Sequence, residues 1–170
     1  MKKYLGVKII HAEPMTNIEF AIDVKNENIL KNSGLKDGYK VVYEGGYVSW
    51  LPRWVFEEAY RRIDNLTFGL AIEALKQGKK VARSGWNGKE MFIFMRPADD
   101  ISINDLLKVK SLPNKVKDYY ELKHQPITSE TSPSVHFGAY ICMKAADDNI
   151  VNGWLASQTD MLAEDWHIIE

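Results

Sequence analysis

Cysteine is nearly absent from this chain of 170 residues: Cys142 stands alone, which excludes an intramolecular disulfide and fits a reducing compartment. Histidine is scarce as well. The four at positions 11, 124, 136 and 167 show neither His-x-x-His nor His-x-x-x-His spacing, and with no cysteine pair a zinc site has no ligand set. No apolar run approaches the roughly 20 residues that a membrane span needs, and the apolar stretch near Met1 is too short for a signal peptide. Charge of one sign is missing too: a formal net charge of −1 creates no field that favours DNA, RNA or an acidic membrane. There is no Gly-x-Ser-x-Gly elbow, and neither Gly78-Lys79 nor Gly88-Lys89 completes a P-loop. These exclusions, with 45% hydrophobic and 26% charged residues, describe a folded, water-soluble chain expected in the cytoplasm.

The length suits one ordinary domain or two small ones, and the pattern favours two small α+β modules of mainly antiparallel strands and short helices. Residues 4–10 are β-branched and aromatic enough for a strand, which Ala12-Glu-Pro-Met is expected to break. Residues 17–32 fit either a short helix or an Asn-rich loop. Two apolar runs, 39–43 and 47–50, flank Glu44-Gly-Gly as a hairpin does. Pro52 then opens a helix whose Trp54, Val55, Phe56, Ala59 and Tyr60 recur at helical spacing, as core residues rather than a binding site. This N-terminal module covers 1–63, and a second one covers 66–170.

In the second module Thr67 is placed to cap a helix with Phe68, Ala71, Ile72 and Leu75 on its buried face, and Gly78 to end it. Strands are expected at 79–83, 91–95 and 139–144, with a return at 150–151 and a closing strand from Trp166. The 91–95 run is apolar throughout and reads as buried on both faces. Residues 99–134, with prolines at 113, 126 and 133, form a long insertion of low regularity holding one short helix near 103–110.

Chemistry concentrates in Lys76-Gln-Gly-Lys-Lys-Val-Ala-Arg-Ser-Gly-Trp-Asn-Gly-Lys89, a helix end, a strand and a Gly-Trp-Asn-Gly turn. It carries five cations, no acid and the indole of Trp86. Such a run is either a solvated strand face or a cradle in which a ring stacks on the indole while cations meet phosphate. Alternation puts Lys79, Val81 and Arg83 on one face and Lys80 with Ala82 on the other, so the run cannot all serve one pocket. Lys89 and Arg83 flank the turn and are the cations chosen for phosphate.

Among the carboxylates, Asp147-Asp148, Asp160 and Glu164-Asp165 stand out, but sequence gives no separation from which to argue a catalytic pair. Asp160, beside Ser157, Gln158 and Thr159, either faces a ribose or base edge or belongs to a simple helix cap, with Thr159 as the cap residue. His167 reads as a strand histidine with an ordinary hydrogen bond, and Cys142 as inert packing.

Phe68 to Lys89 and Trp154-Leu-Ala-Ser-Gln-Thr-Asp-Met-Leu-Ala-Glu-Asp-Trp166 together closely resemble the phage family of Thoeris anti-defence proteins of the second type, over about 66–170. The resemblance implies a sponge: a non-catalytic homo-oligomer, typically a tetramer, that sequesters cyclic ADP-ribose isomers, some relatives holding cyclic dinucleotides, with pockets shared between subunits. It implies no cofactor and no nucleic acid or membrane partner, and action in the host cytoplasm. Trp86 and Asn87 are then expected to line the pocket, with Asp160, Gln158 and Thr159 as polar contacts. A nucleotide-hydrolysing enzyme and a phage structural or adaptor protein are the alternatives. Residues 1–63 lie outside the resemblance, and the 99–134 insertion is placed to retune the ligand.

Overall fold

The computed structural model of the chain describes residues 7–26, 34–86, 89–124 and 133–169. They fall into two compact units, Met1–Leu66 and Thr67–Glu170.

The first unit is an antiparallel meander, β1 (His11–Pro14), β2 (Gly38–Val42) and β3 (Val48–Pro52), with helices α1 (Asn17–Asp23) and α2 (Arg53–Ala59). The hairpin turns at Glu44-Gly-Gly as its sequence predicts, Gly46 taking φ +78°. Thr16 accepts from the Glu19 N–H at 3.2 Å while Glu19 accepts from the Thr16 N–H at 2.8 Å, a capping box that selects the helix reading for 17–23. The strand expected over 4–10 is displaced: pairing begins at His11, residues 7–10 lie in no strand, and residues 4–6 fall outside the described ones. Every residue of β1 is exposed, so its own hydropathy carries no strand signal; pairing with β2 defines it. Pro14 is tolerated at the end of this edge strand, where a missing N–H breaks little of the ladder. In α2, Phe56 stacks between Tyr39 and Tyr60 at 4.1 and 5.0 Å, but Trp54, expected in the core, is 69% exposed and Ala59 is exposed as well.

The second unit is built on a five-stranded antiparallel sheet in the order β10-β4-β5-β8-β9: Trp166–Ile169, Lys80–Arg83, Phe92–Arg96, Tyr140–Lys144 and Ile150–Asn152. Helix α3 (Phe68–Lys76) packs on β10, β4 and β5 and buries Ala71, Ala74 and Leu75 against a core that includes Val81, Ile93, Met143 and Trp166. Its signals act as predicted: Thr67 accepts from the Leu70 N–H, and Gly78 adopts φ +77° just past the end. Strand β5 is less enclosed than its apolar sequence suggests. Ile93 is fully buried, whereas Phe92, Phe94 and Met95 on either side of it are half-exposed, because α3 covers only one face.

The insertion is more regular than expected. Residues Asp99–Ser102 (β6) pair with Ser134–Phe137 (β7), and α4 (Ile103–Leu106) and α5 (Asn114–Lys123) stand between them. Ser102 caps α4, whose Ile103 and Leu106 are fully buried. The tract 125–132 lies outside the described residues.

Candidate functional site

The closing strand does the positioning. β10 lies beside β4 with Trp166 opposite Arg83 and His167 opposite Ala82, so the C-terminal motif is carried to the strand that leads into Ser84-Gly-Trp. Residues Ser84–Trp86 form a single 3-10 turn (η1) where a tight Gly-Trp-Asn-Gly turn was expected; Asn87 and Gly88 lie outside the described residues.

Arg83 ties the two motifs together. Its Nε and Nη2 donate to Asp165 Oδ1 and Oδ2 at 2.8 and 3.4 Å, and its Nη1 donates to Asp160 Oδ1 at 2.8 Å. Asp165 Oδ2 also accepts from the Gly85 N–H at 2.9 Å. Asp160 Oδ2 accepts from the Ser157 N–H at 3.1 Å and from Ser157 Oγ at 2.6 Å. The helix α6 (Gln158–Met161) is therefore capped by Ser157, not Thr159, with Asp160 completing the capping box. The hydrogen bonds from Arg83 hold the Asp165 carboxyl below its ordinary 3.8 despite partial burial, with the Gly85 N–H adding to them. Burial opposes the charge on Asp160, yet the bonds from Ser157 and Arg83 outweigh it and that carboxyl is lowered too. Arg83 is raised in return, by Asp165 first and Asp160 second.

Three of the five tryptophans converge on this network. Trp86 meets Trp166 and Trp154 edge-on at 5.3 and 6.1 Å, and the latter two are 6.4 Å apart. Trp166 is fully buried and donates its indole N–H to the Asp160 carbonyl at 3.0 Å. Edge-to-face contact of this kind fixes ring planes as well as burying area. Trp86 itself is half-buried and keeps an open side.

That open side borders a concavity of about 230 Å³ lined by Ala82, Arg83, Ser84, Trp86, Lys89, Glu90, Met91, His167 and Ile169. Of the residues singled out from sequence, Arg83, Trp86 and Lys89 meet here. Asp160 touches the network through Arg83 but does not line the concavity, and Gln158 and Thr159 are exposed on α6 away from its lining. Glu90 takes a left-handed φ of +50° on the rim, a conformation uncommon outside glycine, asparagine and aspartate. His167 corrects an expectation: its Nδ1 is buried and has no hydrogen-bond partner among the described residues. Sequence reasoning passed over Asp165, Trp154, Trp166 and His167 as site-forming. No local signal marked them: Arg83 meets Asp165 across 82 residues, and the tryptophans meet Trp86 only through the fold. No group of His, Cys, Asp and Glu able to hold a metal occurs among the described residues, and no described helix is long and apolar enough to cross a membrane.

Fold and site together define a small antiparallel α+β domain in which an ion-paired arginine and a tryptophan cluster shape an aromatic and cationic concavity. Residues 66–169 match the Thoeris anti-defense 2-like domain, and the chain belongs to that phage anti-defence family. The protein described as Thoeris anti-defense 2 from Bacillus phage SP01 is 38% identical over 104 residues, which span 61% of this chain and 94% of that relative.

Proposed function

We propose that the protein is an anti-defence sponge: it binds a cyclic ADP-ribose-type signalling nucleotide, or a cyclic dinucleotide, and withholds it from Thoeris immunity in the host cytoplasm without cleaving it. The observation that carries this reading is the concavity itself, where the half-buried Trp86 and the exposed cation of Lys89 border one surface within the family-matched region. A base stacked on an indole contributes roughly 1–3 kcal/mol, and a lysine beside it suits a phosphate. In this reading Asn87, next to Trp86 in sequence, is a further contact, and Gln158 and Thr159, exposed on α6 outside the lining of this concavity, meet ligand that extends beyond it. Arg83 donates to Asp165 and Asp160, and Asp160 accepts from Ser157 and Arg83, so in this reading they position the two motifs rather than bind ligand.

A concavity of about 230 Å³ is smaller than the roughly 300–1,000 Å³ of ordinary ligand pockets. One chain therefore covers part of a nucleotide, which agrees with a homo-oligomer, a tetramer, whose copies complete the pocket.

Thermal melting with a panel of cyclic ADP-ribose isomers and cyclic dinucleotides tests binding, because a ligand that binds only the folded state must raise apparent stability. The expected result is a shift with at least one isomer, recovery of that isomer intact after denaturation, and affinity weakened by about one to two decades in Trp86→Ala. Recovery of a cleaved product would make the protein an enzyme. No shift with any nucleotide, together with co-purification of a protein partner, would favour a structural or adaptor role.

A further inference from the structure

His167 sits on β10 opposite Ala82 and is among the residues that line the concavity, with Trp86 and Lys89. Its Nδ1 is closed off from solvent and finds no partner among the described residues. Buried polar atoms are almost always satisfied, and an orphan donor is rarer and costlier than an under-used acceptor. A proton on Nδ1 would be such an orphan. The ring is consequently better served with its proton on Nε2, the nitrogen farther from the backbone.

We propose that His167 is a specificity-determining residue of this site, its Nε2–H donating to an acceptor atom on the base that stacks on Trp86. This rests on the nucleotide-binding reading and adds to it a polar contact on the β10 side of the cavity, remote in sequence from the Trp86 turn. The buried Nδ1 fixes which nitrogen carries the proton and so gives the contact a sign: the site selects a base that offers an acceptor there over one that offers a donor.

The test compares wild type, His167→Phe, His167→Gln and Trp86→Ala by calorimetry against cyclic ADP-ribose isomers, and reads the tautomer of the ligand-free wild type from the 15N shifts of its labelled histidines. His167→Phe is expected to bind about tenfold more weakly, as the loss of one hydrogen bond implies, while melting at or above the wild-type temperature because the orphaned nitrogen is gone. His167→Gln, which keeps a donor at similar reach, is expected to stay within about threefold of wild type. A proton found on Nδ1 overturns the inference without any ligand. Wild-type affinity in His167→Phe, or equal loss in the Phe and Gln variants, overturns it as well. If those results come while Trp86→Ala still weakens binding, the sponge reading stands and only the role of His167 falls; if wild type binds no cyclic ADP-ribose isomer and no cyclic dinucleotide, both fall.

Discussion

Arg83 is the residue on which the arrangement of the site depends. Its side chain and that of Asp160 are each 14% exposed and that of Asp165 is 34% exposed, so the cluster lies between a surface pair and a buried one. Surface pairs contribute at most about 1 kcal/mol, and breaking a buried one costs about 3–5 kcal/mol because it strands the partner's charge. Arg83→Met is therefore expected to destabilise the second unit by about 2 kcal/mol, or roughly 10 °C in melting temperature for a domain of this size. The same contacts set a pH dependence. Asp160 and Asp165 both ionise more readily folded than at their ordinary 3.8. Their contribution is thus fully present above that value and is lost as pH falls through the lower folded values. Melting temperature should drop as pH is lowered below about 4, and Arg83→Met should flatten that drop; an equal drop in the variant would place the acid sensitivity elsewhere. Little of this cluster was legible in sequence. The Arg83 to Asp165 bond spans 82 residues, and the alternation that puts Arg83 on a face cannot name what waits there. Trp86 and Lys89 could be named together because they stand three residues apart in one glycine-rich, polar stretch.

Single elements show the same division between local and distant causes. Helix α3 could be read from end to end because Thr67, the 68-71-72-75 spacing and Gly78 each act within a turn or two of backbone. Strands β1, β6 and β7 could not, since β1 is wholly exposed and β6 finds β7 only across the insertion. Helix α6 falls between these cases: its position was legible, its cap was not, because Ser157 and Thr159 are both good caps and the choice is made by Asp160 three residues beyond Ser157. Ser157→Ala removes that cap and one hydrogen bond to Asp160, and should cost about 1 kcal/mol and some 4–8 °C. Gly78→Ala should cost a similar amount for a different reason: a side chain there meets no atom within 4 Å, and the strain lies only in φ +77°. The two variants separate on function. Gly78→Ala should leave nucleotide affinity unchanged in calorimetry, whereas Ser157→Ala should weaken it through the loosened Asp160–Arg83 contact; equal affinities would mean that α6 does not tune the site.

At the scale of the whole molecule, the family match begins at residue 66 and the second compact unit at Thr67. All the bonds that form the site, from Arg83 to Asp165 and from Ser157 to Asp160, join residues of that second unit. A domain of about 100 residues with one hydrophobic core is large enough to fold alone. A chain reduced to residues 65–170 is therefore expected to unfold in a single cooperative transition, and to bind a cyclic ADP-ribose isomer within about threefold of the full-length protein, since each lost hydrogen bond would be worth about tenfold at most. Loss of cooperative unfolding would show that residues 65–170 do not form a self-sufficient folding unit. Retained folding with affinity reduced more than tenfold would show that the second unit alone is insufficient for binding, and would overturn the assignment of the ligand site to that unit.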